Sequence, residues 1–176
     1  MRKRRSLSNF ELEEKSDTIL NTLFNLSEYQ QAECIHCYLS IKKNGEVTTD
    51  SIIQNALDNE KKVIVPRVEK GNQLSHHQIT GFSQLEENKW GVREPTDNNP
   101  ADPEAADIII VPMTGGDRQK NRLGYGKGYY DQFLSGVSSP LKIGLLFDCT
   151  LYTSTIPVED FDIQLDMLIT ESEIIR

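Results

Sequence analysis

Several features that mark large protein classes are missing from this sequence. No apolar run approaches the roughly 20 residues that a membrane-spanning helix needs, and the first residues lack the apolar core of a signal peptide. The three cysteines, an odd number, fit a reducing compartment better than a framework of disulfide bonds. We therefore expect a cytoplasmic protein that has no membrane partner.

Positive charge is also scarce, and it is unevenly placed. The chain carries 19 lysine and arginine residues against 27 aspartate and glutamate residues, which gives a net charge of -8. This balance argues against binding nucleic acid through a broad basic surface, but it allows a local pocket that binds one anionic ligand. The exception is a basic cluster at the start of the chain, formed by Arg2, Lys3, Arg4 and Arg5. This cluster is either a solvated terminus or an arm that folds over a phosphate.

Composition and pattern predict one folded domain over residues 1–176. Apolar residues make up 37% and charged residues 26% of the chain, which is typical of a globular protein with a real core. An amphipathic helix with a capping box at Ser8 and Glu11 precedes alternating segments of strand and helix character. The clearest core strand is "DIIIVPM", which starts at Asp107. We predict an α/β fold, a three-layer αβα sandwich with a mostly parallel central sheet.

The segment "CIHC", from Cys34 to Cys37, invites comparison with metal and redox motifs. It lies in an apolar stretch that predicts a buried strand. On a strand, residues three apart point to opposite faces, so the two sulfur atoms would diverge. No second pair of cysteine or histidine residues has zinc-binding spacing. We therefore interpret both cysteines as core residues.

The most unusual stretch is "NRLGYGKGYYDQFL", which begins at Asn121. It follows a core strand, in the order expected for a ligand loop at the carboxyl end of a parallel strand, and "KGYYDQFLSG" predicts the next helix. Its three alternating glycines let the backbone approach a ligand and adopt positive φ, and their N–H groups can form a concave anion site. Arg122 and Lys127 can add positive charge, and the tyrosines offer flat surfaces to a ring system. The alternative is a glycine-rich turn without a ligand.

This loop closely resembles the signature of the 5-formyltetrahydrofolate cyclo-ligase family, in which "RLGxGxGYYD" follows a strand end with the pattern "P-x-x-x-x-D". Here that strand end is "VPMTGGD", with Pro112 and Asp117 in place. Lys120 replaces the glycine of the family's usual "D-x-x-G-N-R", at a position not expected to carry chemistry. Further matches, over about residues 35 to 170, are "YLSIKKNGEVTTDSII", "KVIVPRV", "WGVREP" and "IPVEDFDIQLDMLIT".

The resemblance implies an enzyme that converts 5-formyltetrahydrofolate and ATP into 5,10-methenyltetrahydrofolate, ADP and phosphate. It also implies a fold related to sugar-phosphate isomerases and CoA-transferases, small-molecule partners only, and a monomer. The ATP site would consist of the basic cluster and of Arg122, Leu123, Gly124, Tyr125, Gly126, Lys127, Gly128, Tyr129 and Tyr130. Arg122 and Lys127 are the candidate catalytic residues. Asp131 and Asp162 match the family's Mg²⁺ ligands, although Asp162 could instead be a surface acid or a helix cap.

The resemblance further implies a folate site. Glu46 would accept hydrogen bonds from the aminopyrimidine edge of the pterin; the alternative is a solvated turn residue. Leu39 could line the pterin pocket or belong to the core, and Trp90 could cover the folate ring or act as a hydrophobic anchor. Arg67 could meet a phosphate, the glutamate tail or a surface carboxylate. The glycine loop would complete the folate site with Tyr125, Gly126, Lys127, Gly128 and Tyr129.

Two other functions stay open. A sugar-phosphate isomerase, or a related phosphate-binding protein, would explain an anion loop without ATP, but it would not explain tyrosines followed by Asp131. A non-catalytic binder of nucleotide or folate would keep the same pocket without the reaction. The charged residues of the loop argue against such a loss of activity.

Overall fold

Helices and strands alternate in a computed structural model that describes residues 7–88 and 91–176. The helices are α1 (Asn9–Phe24), α2 (Ser27–Gln31), α3 (Asp50–Asp58) and α4 (Tyr129–Leu134). The strands before the glycine loop are β1 (Cys34–Cys37), β2 (Lys62–Val68), β3 (Leu74–Ile79), β4 (Leu85–Glu87), β5 (Arg93–Pro95), β6 (Ile108–Val111) and β7 (Gly115–Asp117). The later strands are β8 (Arg122–Leu123), β9 (Leu141–Leu145), β10 (Leu151–Tyr152), β11 (Met167–Ile169) and β12 (Ile174–Ile175).

Helix α1 begins with the predicted capping box. The Ser8 hydroxyl accepts a hydrogen bond from the Glu11 N–H at 3.2 Å, and the Glu11 carboxylate accepts one from the Ser8 N–H at 2.8 Å. Each residue thus satisfies a donor that the first helical turn leaves without an intrahelical partner. The apolar stripe then buries Ile19, Leu20 and Leu23 against the sheet.

The central sheet has the order β12-β11-β9-β6-β1-β2-β3 and is mostly parallel, as predicted. The two outer strands, β3 and β12, are antiparallel to their neighbours. Strand β1 lies between β2 and β6, with Ile35 in register with Val63 and Ile108. From β1 the chain adds β2 and β3 on one side, and later β6, β9, β11 and β12 on the other. The strand order therefore reverses between β1 and β6.

Both faces of the sheet are covered by helices. Ile35 and Cys37 belong to an apolar cluster with residues of α1 and α3, whereas Cys34 belongs to a cluster on the opposite face with Phe133 and Leu134 of α4. The prediction that Cys34 and Cys37 diverge is therefore confirmed. Alternate residues of the central strands enter opposite clusters because successive side chains of a strand point to opposite faces.

One strand continues past a proline, and one helix begins later than predicted. Strand β2 continues through Pro66 to Val68, because its pairing with β1 ends at Ile64 and the missing N–H of proline falls beyond that ladder. Helix α4 begins at Tyr129 rather than at Lys127, since Gly128 has the left-handed φ of 71° that precedes the first turn. Within the described ranges, no helix has the length and apolar character needed to cross a bilayer.

Candidate active site

A cavity of about 530 Å³ lies at the carboxyl ends of β1, β2 and β6. This is where the strand order reverses, the position at which open α/β sheets bind ligands. The cavity is lined by Tyr38, Leu39, Ile41, Glu46, Pro66, Val68, Leu74, Val92, Arg93, Glu94, Pro112, Arg122, Leu123, Gly124, Tyr125, Gly126, Lys127, Gly128, Tyr129, Tyr130, Asp131, Pro157, Phe161 and Asp162.

Most of the predicted site residues meet in this cavity. Leu39, Glu46, Asp162 and the loop residues 122–131 all contribute to its wall, although they come from four separate segments. Leu39 is also buried in the core, so both interpretations of that residue apply. The remaining predicted site residues lie outside the described residues: Arg2, Lys3, Arg4, Arg5 and Trp90.

The glycine loop needs its glycines for two different reasons. Gly126 and Gly128 have φ values of 79° and 71°, in the left-handed region that other residues adopt only at a cost. A Cβ atom at either position would meet no atom within 4 Å, so the wall of the cavity is open there. Gly124 differs, because its Cβ would lie 3.2 Å from Nη1 of Arg122. Gly124 therefore leaves room for the guanidinium group of Arg122.

A hairpin of β7 and β8 carries the loop, and Asp117 organises it. The Asp117 carboxylate accepts hydrogen bonds from the backbone N–H groups of Gln119, Asn121 and Ile156 at 2.9, 3.1 and 2.9 Å, and from the Asn121 side chain at 3.0 Å. Burial alone would raise the pKa of Asp117, but these hydrogen bonds outweigh it and lower the pKa. The sequence showed Asp117 as part of a motif, without this role.

Arg122 and Asp131 are paired with each other. Nη2 of Arg122 lies 2.5 Å from Oδ1 of Asp131, and the two side chains are 5% and 19% exposed. Nε of Arg122 is buried and has no hydrogen-bond partner among the described residues. Sequence reasoning assigned one residue to phosphate and the other to metal, and it missed their pairing. The guanidinium keeps donors for a ligand, and Asp131 keeps its second carboxylate oxygen.

The two predicted metal ligands belong to chain segments that touch. Oδ1 of Asp131 accepts a hydrogen bond from the N–H of Ile163, the residue after Asp162, at 3.3 Å. Asp162 accepts one from the Glu159 N–H at 2.8 Å, so it also caps its own turn. Nowhere in residues 7–88 and 91–176 do three His, Cys, Asp or Glu side chains gather around one possible metal position. Two carboxylates completed by phosphate oxygens and water are a set that suits Mg²⁺.

Glu46 is held firmly at the other side of the cavity. It is 8% exposed, and Oε2 accepts a hydrogen bond from the Ile41 N–H at 2.7 Å. Oε1 accepts a hydrogen bond from the Tyr125 hydroxyl of the glycine loop. The interpretation of Glu46 as a solvated turn residue is therefore wrong. This carboxylate joins the two predicted binding segments.

Two further tyrosines line the cavity with different surroundings. The buried Tyr38 hydroxyl donates to the Val47 carbonyl at 3.2 Å. The Tyr130 ring packs on Phe133 and lines the cavity, whereas its hydroxyl is buried without a partner in the part of the chain that the structure describes. Burial raises the pKa of both phenols, so both stay protonated at neutral pH.

Lys127 is an exposed side chain of the loop and lines the cavity.

Arg67, in contrast, is paired with Glu69 at 3.0 Å and does not line the cavity, which favours the interpretation as a surface ion pair. Nδ1 of His76 lies 3.0 Å from Nε2 of His36, the His76 ring packs on Phe133 of α4, and burial lowers the pKa of His76 to about 4. We assign no chemistry to these histidines.

Known proteins are similar to this chain in sequence and in architecture. A family model described as the 5-formyltetrahydrofolate cyclo-ligase family matches residues 1–171. A probable 5-formyltetrahydrofolate cyclo-ligase of Caenorhabditis elegans is 31% identical, over 96% of this chain and 87% of its own length. The cyclo-ligase of Haemophilus influenzae is 27% identical, over 94% and 91%. The solved structure of Aquifex aeolicus 5,10-methenyltetrahydrofolate synthetase superposes with a TM-score of 0.87 at 32% identity, covering 99% of this chain and 87% of that one.

Proposed function

The chain belongs to the 5-formyltetrahydrofolate cyclo-ligase family, and from this premise we propose that it uses ATP to close the ring of 5-formyltetrahydrofolate. The products are 5,10-methenyltetrahydrofolate, ADP and phosphate. The observation that carries this proposal is that one cavity has two chemically different sides. At one side it presents the buried carboxylate of Glu46, and at the other it presents an anion loop with Arg122 and Lys127.

The formyl oxygen must be activated before ring closure, because the oxygen of an amide-like group is a poor leaving group. In the proposed reaction this oxygen attacks the γ-phosphorus of ATP, and the bond to ADP breaks. The resulting iminium phosphate is attacked at its carbon by N10 of the folate, which loses its proton. The C–O bond then breaks, and phosphate leaves with the electron pair. Both substrates must therefore lie in one water-poor space with their reacting atoms in contact.

Each side of the cavity has a distinct task in this proposal. Glu46 accepts the donors of the pterin's aminopyrimidine edge, a match that a neutral residue makes less well. The N–H groups of residues 124–128, together with Lys127, hold the phosphates, and the guanidinium of Arg122 neutralises charge on the transferring group. Asp131 and Asp162 would hold a Mg²⁺ ion, which would screen the charge of the triphosphate when bound.

One absorbance assay tests the function. The protein is mixed with 5-formyltetrahydrofolate, ATP and Mg²⁺, and the near-ultraviolet absorbance of methenyltetrahydrofolate is followed. We expect absorbance to grow only when all three are present and to stop when EDTA removes the metal. A flat trace from folded protein that binds nucleotide or folate would instead identify a non-catalytic binder. Turnover of a sugar phosphate with no need for nucleotide would identify an isomerase.

Three broader features complete the proposal. We place the enzyme in the cytoplasm, since Cys34 and Cys37 are free thiols in the core. We expect it to act as a monomer, because one chain supplies both sides of the cavity. The mixed sheet with helices on both faces is compatible with a relationship to sugar-phosphate isomerase and CoA-transferase folds.

A further inference from the structure

One exposed aromatic side chain lies at the rim of the cavity. Phe161 is 67% exposed and lines the cavity directly beside Asp162. Exposure of an aromatic ring to water is unfavourable, but single exposed apolar side chains are common on folded proteins. This ring, however, lies next to a predicted metal ligand, in the wall of a ligand-sized cavity. Its exposed face is therefore available to a ligand that the loop binds.

The strand order divides the cavity into two sides. Tyr38, Leu39 and Glu46 follow β1, on the side of the sheet that continues with β2 and β3. Pro157 and Phe161 come from the segment between β10 and β11, on the side that continues with β9 and β11. The glycine loop lies between these two sets, since the hairpin of β7 and β8 that carries it follows the central strand β6. Phe161 is thus on the opposite side of the phosphate loop from the proposed pterin site.

This division determines which ligand reaches Phe161. A triphosphate held by residues 124–128 must direct its γ-phosphorus toward the formyl group on the Glu46 side. The nucleoside at its other end then extends away from Glu46, toward Pro157 and Phe161. We propose that the Phe161 ring stacks on the adenine of ATP. This inference rests on the proposed function, because it takes ATP as the ligand.

The segment that carries Phe161 is tied to the phosphate side at three points. The N–H of Ile156 donates to Asp117 at 2.9 Å, the N–H of Ile163 donates to Asp131 at 3.3 Å, and the Gln164 side chain donates to the Gln119 carbonyl at 2.5 Å. These bonds place the ring in a fixed relation to the loop and to Asp131. A flat apolar contact also predicts weak discrimination between bases, because every base has a π face.

Calorimetric titration of two ligands isolates the contact with the base. ATP and inorganic tripolyphosphate, each with Mg²⁺, are titrated into the wild type and into the Phe161→Ala variant, without folate. We expect Phe161→Ala to weaken ATP binding about tenfold, which equals about 1.4 kcal/mol. Binding of tripolyphosphate should stay unchanged, because it has no base. Phe161→Trp should bind ATP at least as tightly as the wild type.

Val158→Ala is the matched control. Val158 is 52% exposed on the same segment, but it does not line the cavity, so both ligands should bind this variant as they bind the wild type. Equal ATP affinity of Phe161→Ala and wild type would overturn the inference. An equal loss for ATP and tripolyphosphate would also overturn it, since the residue would then act through the loop. A rise in KM for 5-formyltetrahydrofolate with normal ATP binding would place the ring on the folate.

These titrations separate the inference from the function on which it rests. If the wild type never forms methenyltetrahydrofolate but Phe161→Ala still weakens binding of ATP and not of tripolyphosphate, the proposed function fails while the stacking contact stands. If the enzyme turns over and Phe161→Ala binds ATP normally, the function stands and the stacking contact fails.

Discussion

The two sides of the cavity are built in different ways. On the side that we propose for folate, Glu46 is buried and held by the Ile41 N–H and the Tyr125 hydroxyl, and Tyr38 and Leu39 are part of the core. On the side that we propose for the nucleotide, residues 124–128 are exposed, and none of the ion pairs among the described residues includes Lys127. One side is continuous with the hydrophobic core, and the other is an exposed loop that follows a short hairpin.

This difference has an energetic consequence. A side chain that is hydrogen-bonded inside the core contributes to folding and to binding at once, so its loss should lower both. A charged side chain on an exposed loop contributes little to the free energy of unfolding, so its loss should affect binding alone. Substitutions at the two sides should therefore separate activity from stability on the nucleotide side and couple them on the folate side.

The largest effect is expected from Lys127→Ala on the nucleotide side. Removing one preorganised positive charge from the transferring phosphate should lower kcat/KM for ATP by about 100-fold. The free energy of unfolding should change by less than about 0.5 kcal/mol, because Lys127 is exposed. Initial rates at varied ATP and urea unfolding of the same preparation measure the two quantities.

Lys70→Ala is a suitable control for Lys127→Ala, since Lys70 is an exposed lysine in the turn between β2 and β3. It should change neither quantity. A Lys127→Ala protein that is clearly destabilised, yet turns over normally when folded, would contradict the position that we give to this side chain.

An intermediate effect is expected from Glu46→Gln on the folate side. The amide keeps one acceptor for the Ile41 N–H but loses the charge, so the KM for 5-formyltetrahydrofolate should rise about tenfold or more. Stability should fall by about 1 kcal/mol, because hydrogen bonds to a charged group are the stronger ones. The KM for ATP should stay within a factor of about three, a margin that corresponds to less than 1 kcal/mol. Separate titrations of the two substrates and thermal unfolding provide the three values.

Glu86→Gln, an exposed acid of β4, makes the same chemical change outside the cavity and should leave all three values unchanged. If Glu46→Gln lost stability without any change in the KM for folate, Glu46 would be a structural carboxylate only. The contrast between the two sides would then fail.

Local patterns predicted most of the elements. The capping box of α1, the core strand at Ile108 and the divergence of Cys34 and Cys37 follow from periodicities of three to four and of two residues. These patterns connect residues that are close in sequence. They are strong here because both faces of the sheet are buried. The loop motif likewise identified 10 of the 24 residues that line the cavity.

Contacts between distant segments could not be predicted in the same way. The Asp117 carboxylate reaches Ile156, and the Tyr125 hydroxyl reaches Glu46, 79 positions earlier in the chain. No periodicity connects such pairs, because each depends on how loops at the ends of separate strands approach one another. The contribution of Phe161 to the wall was missed for the same reason. An exposed phenylalanine in a polar segment gives no signal until the opposite wall is known.

The smallest effect should come from a position on the nucleotide side that touches no ligand. Lys120 has a φ of 66° in the turn between β7 and β8, where its N–H donates to the Asp117 carbonyl at 3.0 Å. A residue with a Cβ loses about 1–2 kcal/mol in this conformation, and glycine loses about 0.5–1 kcal/mol through the greater freedom of its unfolded chain. Lys120→Gly should therefore stabilise the protein by about 0.5–1 kcal/mol, or about 2 °C in Tm, with unchanged turnover. Lys120→Ala, which removes the side chain but keeps the unfavourable φ, should give no gain. Equal stabilisation by both variants in thermal unfolding would show that the side chain, and not the backbone conformation, limits stability at this turn.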